Sequence, residues 1–188
     1  EQLANLTQII NEMEIDGIWL DFIRYPCHWE EVRSTAVTEY CFCEICQKKF
    51  AAKVGGEMEG EAWIAWKCAQ ITGFVEEVHH RIKSSGKAIE LGLFAVPWRP
   101  ADFDGGIRRI IGQDFPTLAA FASIFGAMAY HRITGNSVNW IHDIVTTVSN
   151  QTGKSVLPLV QSVPLPEHIN AVEFAASLEA AIQAPSDG

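Results

Sequence analysis

The stretch DGIWLDFIRYP, Asp16 to Pro26, decides how this chain folds. Ile18, Leu20 and Phe22 alternate with Trp19, Asp21 and Ile23, a period of two that predicts a strand. Both sets are largely apolar, as in a parallel strand covered on both faces. The strand therefore carries Asp21, Arg24 and Tyr25 to its C-terminal end. A carboxylate in that position is costly unless it is paired or used. An ion pair with Arg24 is the structural alternative, and a chemical role is the functional one.

Outward from this strand, the chain alternates strand and helix. Leu3, Leu6, Ile9, Ile10 and Met13 predict a helix before it. A long excursion follows, Cys27 to about Gly60, with a short helix around Cys46 to Val54. Ala62 to Lys83 reads as a helix with an Ile71, Phe74, Val75, Val78, Ile82 stripe, stopped by the SSG at 84–86. Further strands are expected at Ala88–Trp98, Ile124–His131 and Ser155–Gln161. Between and after them, short helices are expected near Ile107–Ile111 and Phe115–Ala122, and longer ones at Ser137–Gln151 and Pro166–Ala184. Strands separated by helices mean parallel βαβ units.

The 188 residues, 48% hydrophobic, suffice for one well-cored domain. A net charge of -9 argues against nucleic acid as a partner. No apolar run reaches the roughly 18 residues of a membrane span. A flavodoxin-like open sheet and a (β/α)8 barrel both fit the alternation, and the placement of unusual residues separates them. Asp21, Arg24 and Tyr25 end the first strand, Pro97 and Trp98 the second, Tyr130 and His131 the third, and Gln161 the fourth. The opposite strand ends are ordinary, and no Gly-rich phosphate loop follows any strand. Chemistry at the C-terminal ends of several strands is the barrel pattern. Four units make half of a barrel, and the closing SDG (Ser186 to Gly188) resembles the turn before another strand. The expectation is a single partial (β/α)8 TIM barrel over residues 1–188, with a cysteine-containing loop insertion at about 27–60.

DGIWLDFIRYP, CHWE (27–30), GLFAVPW (92–98), GGIRRIIGQD (105–114), GAMAYH (126–131) and LPLVQ (157–161) together resemble a family of glycosyl-hydrolase-like, family-10-like barrel proteins. The resemblance implies that Asp21 ends strand four, that the later strands are five to seven, and that strands one to three and eight lie outside this chain. It implies a glycoside hydrolase acting on an oligo- or polysaccharide, with Asp21 as nucleophile or acid/base. Glycoside hydrolysis usually needs a second carboxyl group. Glu30, on the same excursion, is the first choice. Asp102, Asp104 and Asp114 read as turn or cap residues, and Gln161 stands where many retaining barrels have a Glu. Tyr25, Trp98 and Tyr130 are expected to stack on sugar rings, while Arg24, His28, His131 and Gln161 hydrogen-bond hydroxyls.

CFCEIC places Cys41, Cys43 and Cys46 in a C-x-C-x2-C cluster, which suits a tetrahedral zinc ion, with Cys27 as fourth ligand or His28 as its substitute. A similar cluster holds a structural zinc in a group of barrel β-galactosidases, and the spacing does not suit an iron–sulfur site of the radical SAM kind. A thiol-lined apolar helix, with Phe42, Ile45 and Phe50 inward, is the alternative. Two other functions stay open: a non-catalytic saccharide-binding barrel and a zinc-stabilised interaction module.

Overall fold

The computed structural model describes residues 1–183 and 185–188. It is an α/β fold around a four-stranded, fully parallel sheet. Helix α1 (Gln2–Glu12) leads into β1 (Gly17–Leu20). The excursion after β1 holds a single 3-10 turn at Trp29–Glu31 and helix α2 (Glu44–Lys53) before the long α3 (Gly60–Ser85). Then come β2 (Glu90–Ala95), the short helices α4 (Gly106–Arg109) and α5 (Phe115–Leu118), and β3 (Ile124–Ala127). Helix α6 (Asn139–Thr152), β4 (Ser155–Pro158) and α7 (Ala171–Ala181) complete the order.

The expected elements are all present, but every strand stops sooner than its apolar run. The first ends at Leu20, the second at Ala95, the third at Ala127 and the fourth at Pro158. The helix stops are where the glycines put them. Gly86 and Gly153 take φ of 71° and 60°, closing α3 and α6 in the left-handed cap that glycine adopts without a Cβ penalty. Helix α7 begins later than its apolar pattern suggests. Asn170 is its N-cap, its side chain accepting the backbone N–H of Glu173.

The strand order is β1-β2-β3-β4, without the reversal that marks a doubly wound sheet. Crossovers that all step the same way, each right-handed, place their helices on one side. The helices pack accordingly in a continuous layer: α1 on α3, α3 on α4 and α5, α5 on α6, and α6 on α7. Under this layer lie Ile18, Leu20, Leu91, Leu93, Ala95, Phe125, Ala127 and Val156, buried against Val75, Val78, Ile82, Ile141 and Ile144. The other sheet face carries Trp19, Phe94, Ile124 and Leu157, with Trp19 stacked on Phe94 at 5.2 Å. Trp19 lies across Gly92, where an added Cβ would stand 2.6 Å from the indole. Glycine is required there by the ring's close approach to the backbone.

At the far edge, Asp187 returns to β4. Its N–H donates to Val156 O at 3.1 Å, and Val156 N donates to its carboxylate at 3.2 Å. Before β1, the backbone carbonyl of Asp16 accepts the Glu90 N–H at 2.8 Å. A second, smaller core of Phe50, Trp63 and Trp66 seats α2 on the start of α3. Ile45 and Phe42 are exposed, so Phe50 alone of the expected trio is buried. No helix among the described residues is long and apolar enough to cross a membrane.

Candidate functional site

The site is built where β1 ends. Past Leu20 the chain leaves the sheet instead of continuing to Pro26. Asp21 Oδ1 accepts the Phe22 N–H at 2.7 Å, and Phe22 takes φ 51°. A left-handed backbone at a bulky aromatic is strained, and strain of this kind concentrates at functional positions. The turn throws Phe22 outward, 73% exposed, where the alternation had put it beside the buried Leu20. Arg24 lays its guanidinium over the Phe22 ring at 4.4 Å. It makes no ion pair with Asp21, so the structural alternative for this acid is not realised.

Tyr25 is held from the next unit: its N–H donates to Ile111 O at 2.9 Å. A Cβ at Gly112 (φ 78°) would stand 2.7 Å from Tyr25 Cδ2, so glycine lets the ring lie against the backbone. Burial raises the Tyr25 phenol, and the thiols of Cys46 and Cys41 add to the effect. Tyr25 is therefore a buried, fixed wall at the strand end. Gln113, which the motif reading passed over, braces this corner. Its Oε1 accepts Val96 N at 3.0 Å, and its Nε2 donates to Phe94 O at 2.9 Å and Ile23 O at 3.4 Å.

The excursion folds back past the strand end and forms an open cavity of about 960 Å³. Arg24, Tyr25, Cys27, His28, Glu30 and Arg33 line it. Five of the residues singled out in the sequence thus share one cavity: Arg24, Tyr25, Cys27, His28 and Glu30. Burial pushes the Cys27 thiol up, the Arg24 charge opposes this and Glu30 reinforces it. Tyr130, just beyond β3, stacks on Trp29 at 6.0 Å. Its phenol is raised by burial and then by the charges of Asp21 and Glu30.

Three other expected sugar ligands are placed differently. Trp98 is buried against Phe103, their centroids 4.6 Å apart. His131, 1% exposed, engages Glu173 Oε1 through Nε2 at 2.9 Å. Gln161, 2% exposed, accepts the Ile133 N–H at 3.1 Å and donates to Val163 O at 3.1 Å and to Leu165 O. Each lies past a strand end, in backbone that has left the sheet and needs side-chain bracing. The expected turn role of Asp102 is seen, its carboxylate accepting Arg99 N at 2.8 Å. Asp114 takes the expected N-cap position, at the start of α5, but its side chain makes no capping hydrogen bond and pairs with Arg108 at 3.0 Å.

The sulfurs of Cys41, Cys43 and Cys46 lie within 4.8 Å of one another, a group that could hold a metal ion. Neither Cys27 nor His28 joins them, since both line the cavity. Hydrogen bonding, the Cys46 N–H foremost, brings the Cys43 thiol down to about 7, while burial pushes Cys46 up to about 12. The loop before them is anchored by Glu39. Its carboxylate bonds the guanidinium of Arg109 and lies 3.1 Å from the fully buried Lys67 Nζ. Sequence spacing gave no signal for this anchor, because its three members lie on separate elements. Compared with models of protein families and with curated proteins, the chain matches none.

Proposed function

We propose that the chain is the arc of a (β/α)8 barrel that hydrolyses a glycosidic bond in an oligo- or polysaccharide. The observation that carries this reading is the cavity past the C-terminal end of β1, lined by Glu30 with Arg24, Tyr25 and His28, with Asp21 in the turn that leads into it. Glycoside cleavage usually takes two carboxyl groups flanking the bond, one as proton donor and one as nucleophile or base. Asp21 is the nucleophile or acid/base and Glu30 its partner. The cavity beside them, with His28 and the exposed Phe22, has the mixed polar and aromatic lining that sugars require. An unreversed strand order, one continuous helical layer and Asp187 seated on the edge of β4 support the barrel reading.

Zinc is the ion we assign to Cys41, Cys43 and Cys46. Thiolates about 2.3 Å from a tetrahedral zinc stand about 3.8 Å apart, which this group reaches with little movement. Its proposed role is to hold the excursion against α3.

The Asp21→Asn variant tests the function. Loss of oligosaccharide turnover with glycan binding retained supports catalysis by Asp21. Unchanged turnover overturns it, and binding without turnover in the wild type leaves a saccharide-binding barrel instead.

A further inference from the structure

The chain has seven arginines, and five of them (Arg81, Arg99, Arg108, Arg109 and Arg132) are ion-paired with Asp or Glu. Among the described residues the two without such a pair are Arg24 and Arg33, and both line the large cavity. In a chain of net charge -9, carboxylate partners are not scarce. Arg33 spends its donors on the carbonyls of Glu30, Val32 and Ile133, which fixes the cavity wall. The Arg24 side chain makes no hydrogen bond among the described residues, and its Nε is shielded from solvent without a partner. A shielded donor of a cationic group left unmet is costly. Glu30 and Glu31 line the same cavity, yet neither pairs with Arg24.

The posture of Arg24 is also specific. Its guanidinium is stacked on Phe22 at 4.4 Å, which covers one face and leaves the in-plane N–H fork to point elsewhere. That fork matches the two oxygens of a carboxylate, or of a sulfate, in a bidentate bond. We infer that the cavity selects an acidic saccharide, and that Arg24 binds the anionic group of one sugar unit, a uronate carboxylate or a sulfate ester. This rests on the reading of the cavity as a sugar site. Arg24 is then a specificity residue. It orients the chain across Asp21 and Glu30 by a charged contact that a neutral sugar cannot make.

The test titrates the full chain with tetragalacturonate, with neutral tetragalactose, and with tetragalactose carrying 6-sulfate groups. The wild type is expected to bind an acidic probe at least about 10-fold more tightly than the neutral one. The tighter of the two acidic probes identifies uronate or sulfate. Arg24→Gln is expected to abolish the preference for the acidic probes. Arg24→Lys, which keeps charge but not the fork, should restore only part of it. Because the Arg24 side chain makes no hydrogen bond among the described residues, neither variant removes a hydrogen-bonded brace from the fold. Neutral binding as tight as acidic binding, or a preference that survives Arg24→Gln, overturns the inference and leaves the sugar reading standing. Binding of none of the three overturns both.

Discussion

Gln161 shows what the residues just past the strands do. Its amide sits 2% exposed and serves an N–H and two carbonyls of the loop around it, using both ends of the group. Gln161→Leu keeps the volume but leaves those three backbone groups unmet, at about 1–3 kcal/mol for each buried group that water cannot reach. Urea denaturation should show a clear loss of stability, and an unchanged midpoint would contradict the bracing role. In the sequence, Gln161 and His131 are polar residues at the end of apolar runs, which is also how a ligand-facing residue looks. Their partners, Ile133 and Glu173, lie too far along the chain for periodicity to reveal. Asp21 was legible because its strand is short and strongly patterned. The turn at Phe22 was not, since the apolar alternation runs on after the backbone has left the sheet.

Among the elements, the helix stripes were the most legible. Val75, Val78 and Ile82 on α3 and Trp140, Ile141, Ile144 and Val148 on α6 are buried as their spacing predicts. Where α7 attaches was less clear, because Glu173 works through another element. Arg132 and then His131 hold its carboxyl down to about 2. A folded value below the ordinary unfolded value of about 4.3 gives stability that is complete above that pH and is lost as pH falls towards 2. Glu173→Gln should therefore narrow its stability gap from the wild type as the pH is lowered from 6 to 2.5. A constant gap would show that the ion pair does not hold the helix.

The cysteine loop is the other element-scale case. The purified wild type should carry about one zinc per chain, and Cys43→Ser should lose it while the excursion becomes open to proteolysis between residues 32 and 58. A folded wild type without metal would remove the zinc assignment. The C-x-C-x2-C spacing was enough to find these three sulfurs, because ligands so near in sequence converge by local geometry. The fourth position was not, because Cys27 is carried off with the cavity wall.

The whole molecule is an asymmetric sheet. One face is sealed by a continuous helical layer, while the other presents Trp19, 39% exposed, packed over glycines. The unusual chemistry gathers at one end of this sheet, in the excursion from β1 and the residues after β3. The central claim is that Asp21 and Glu30 work as a pair across a glycosidic bond. It is tested most directly by measuring release of reducing ends from acidic oligosaccharides by the wild type, Asp21→Asn, Glu30→Gln and the double variant. Each single change is predicted to cost about 10²–10⁴-fold in turnover. The double variant should be scarcely worse than either, because groups that act as a unit are not additive. Glu30→Gln turning over at the wild-type rate would contradict the pairing.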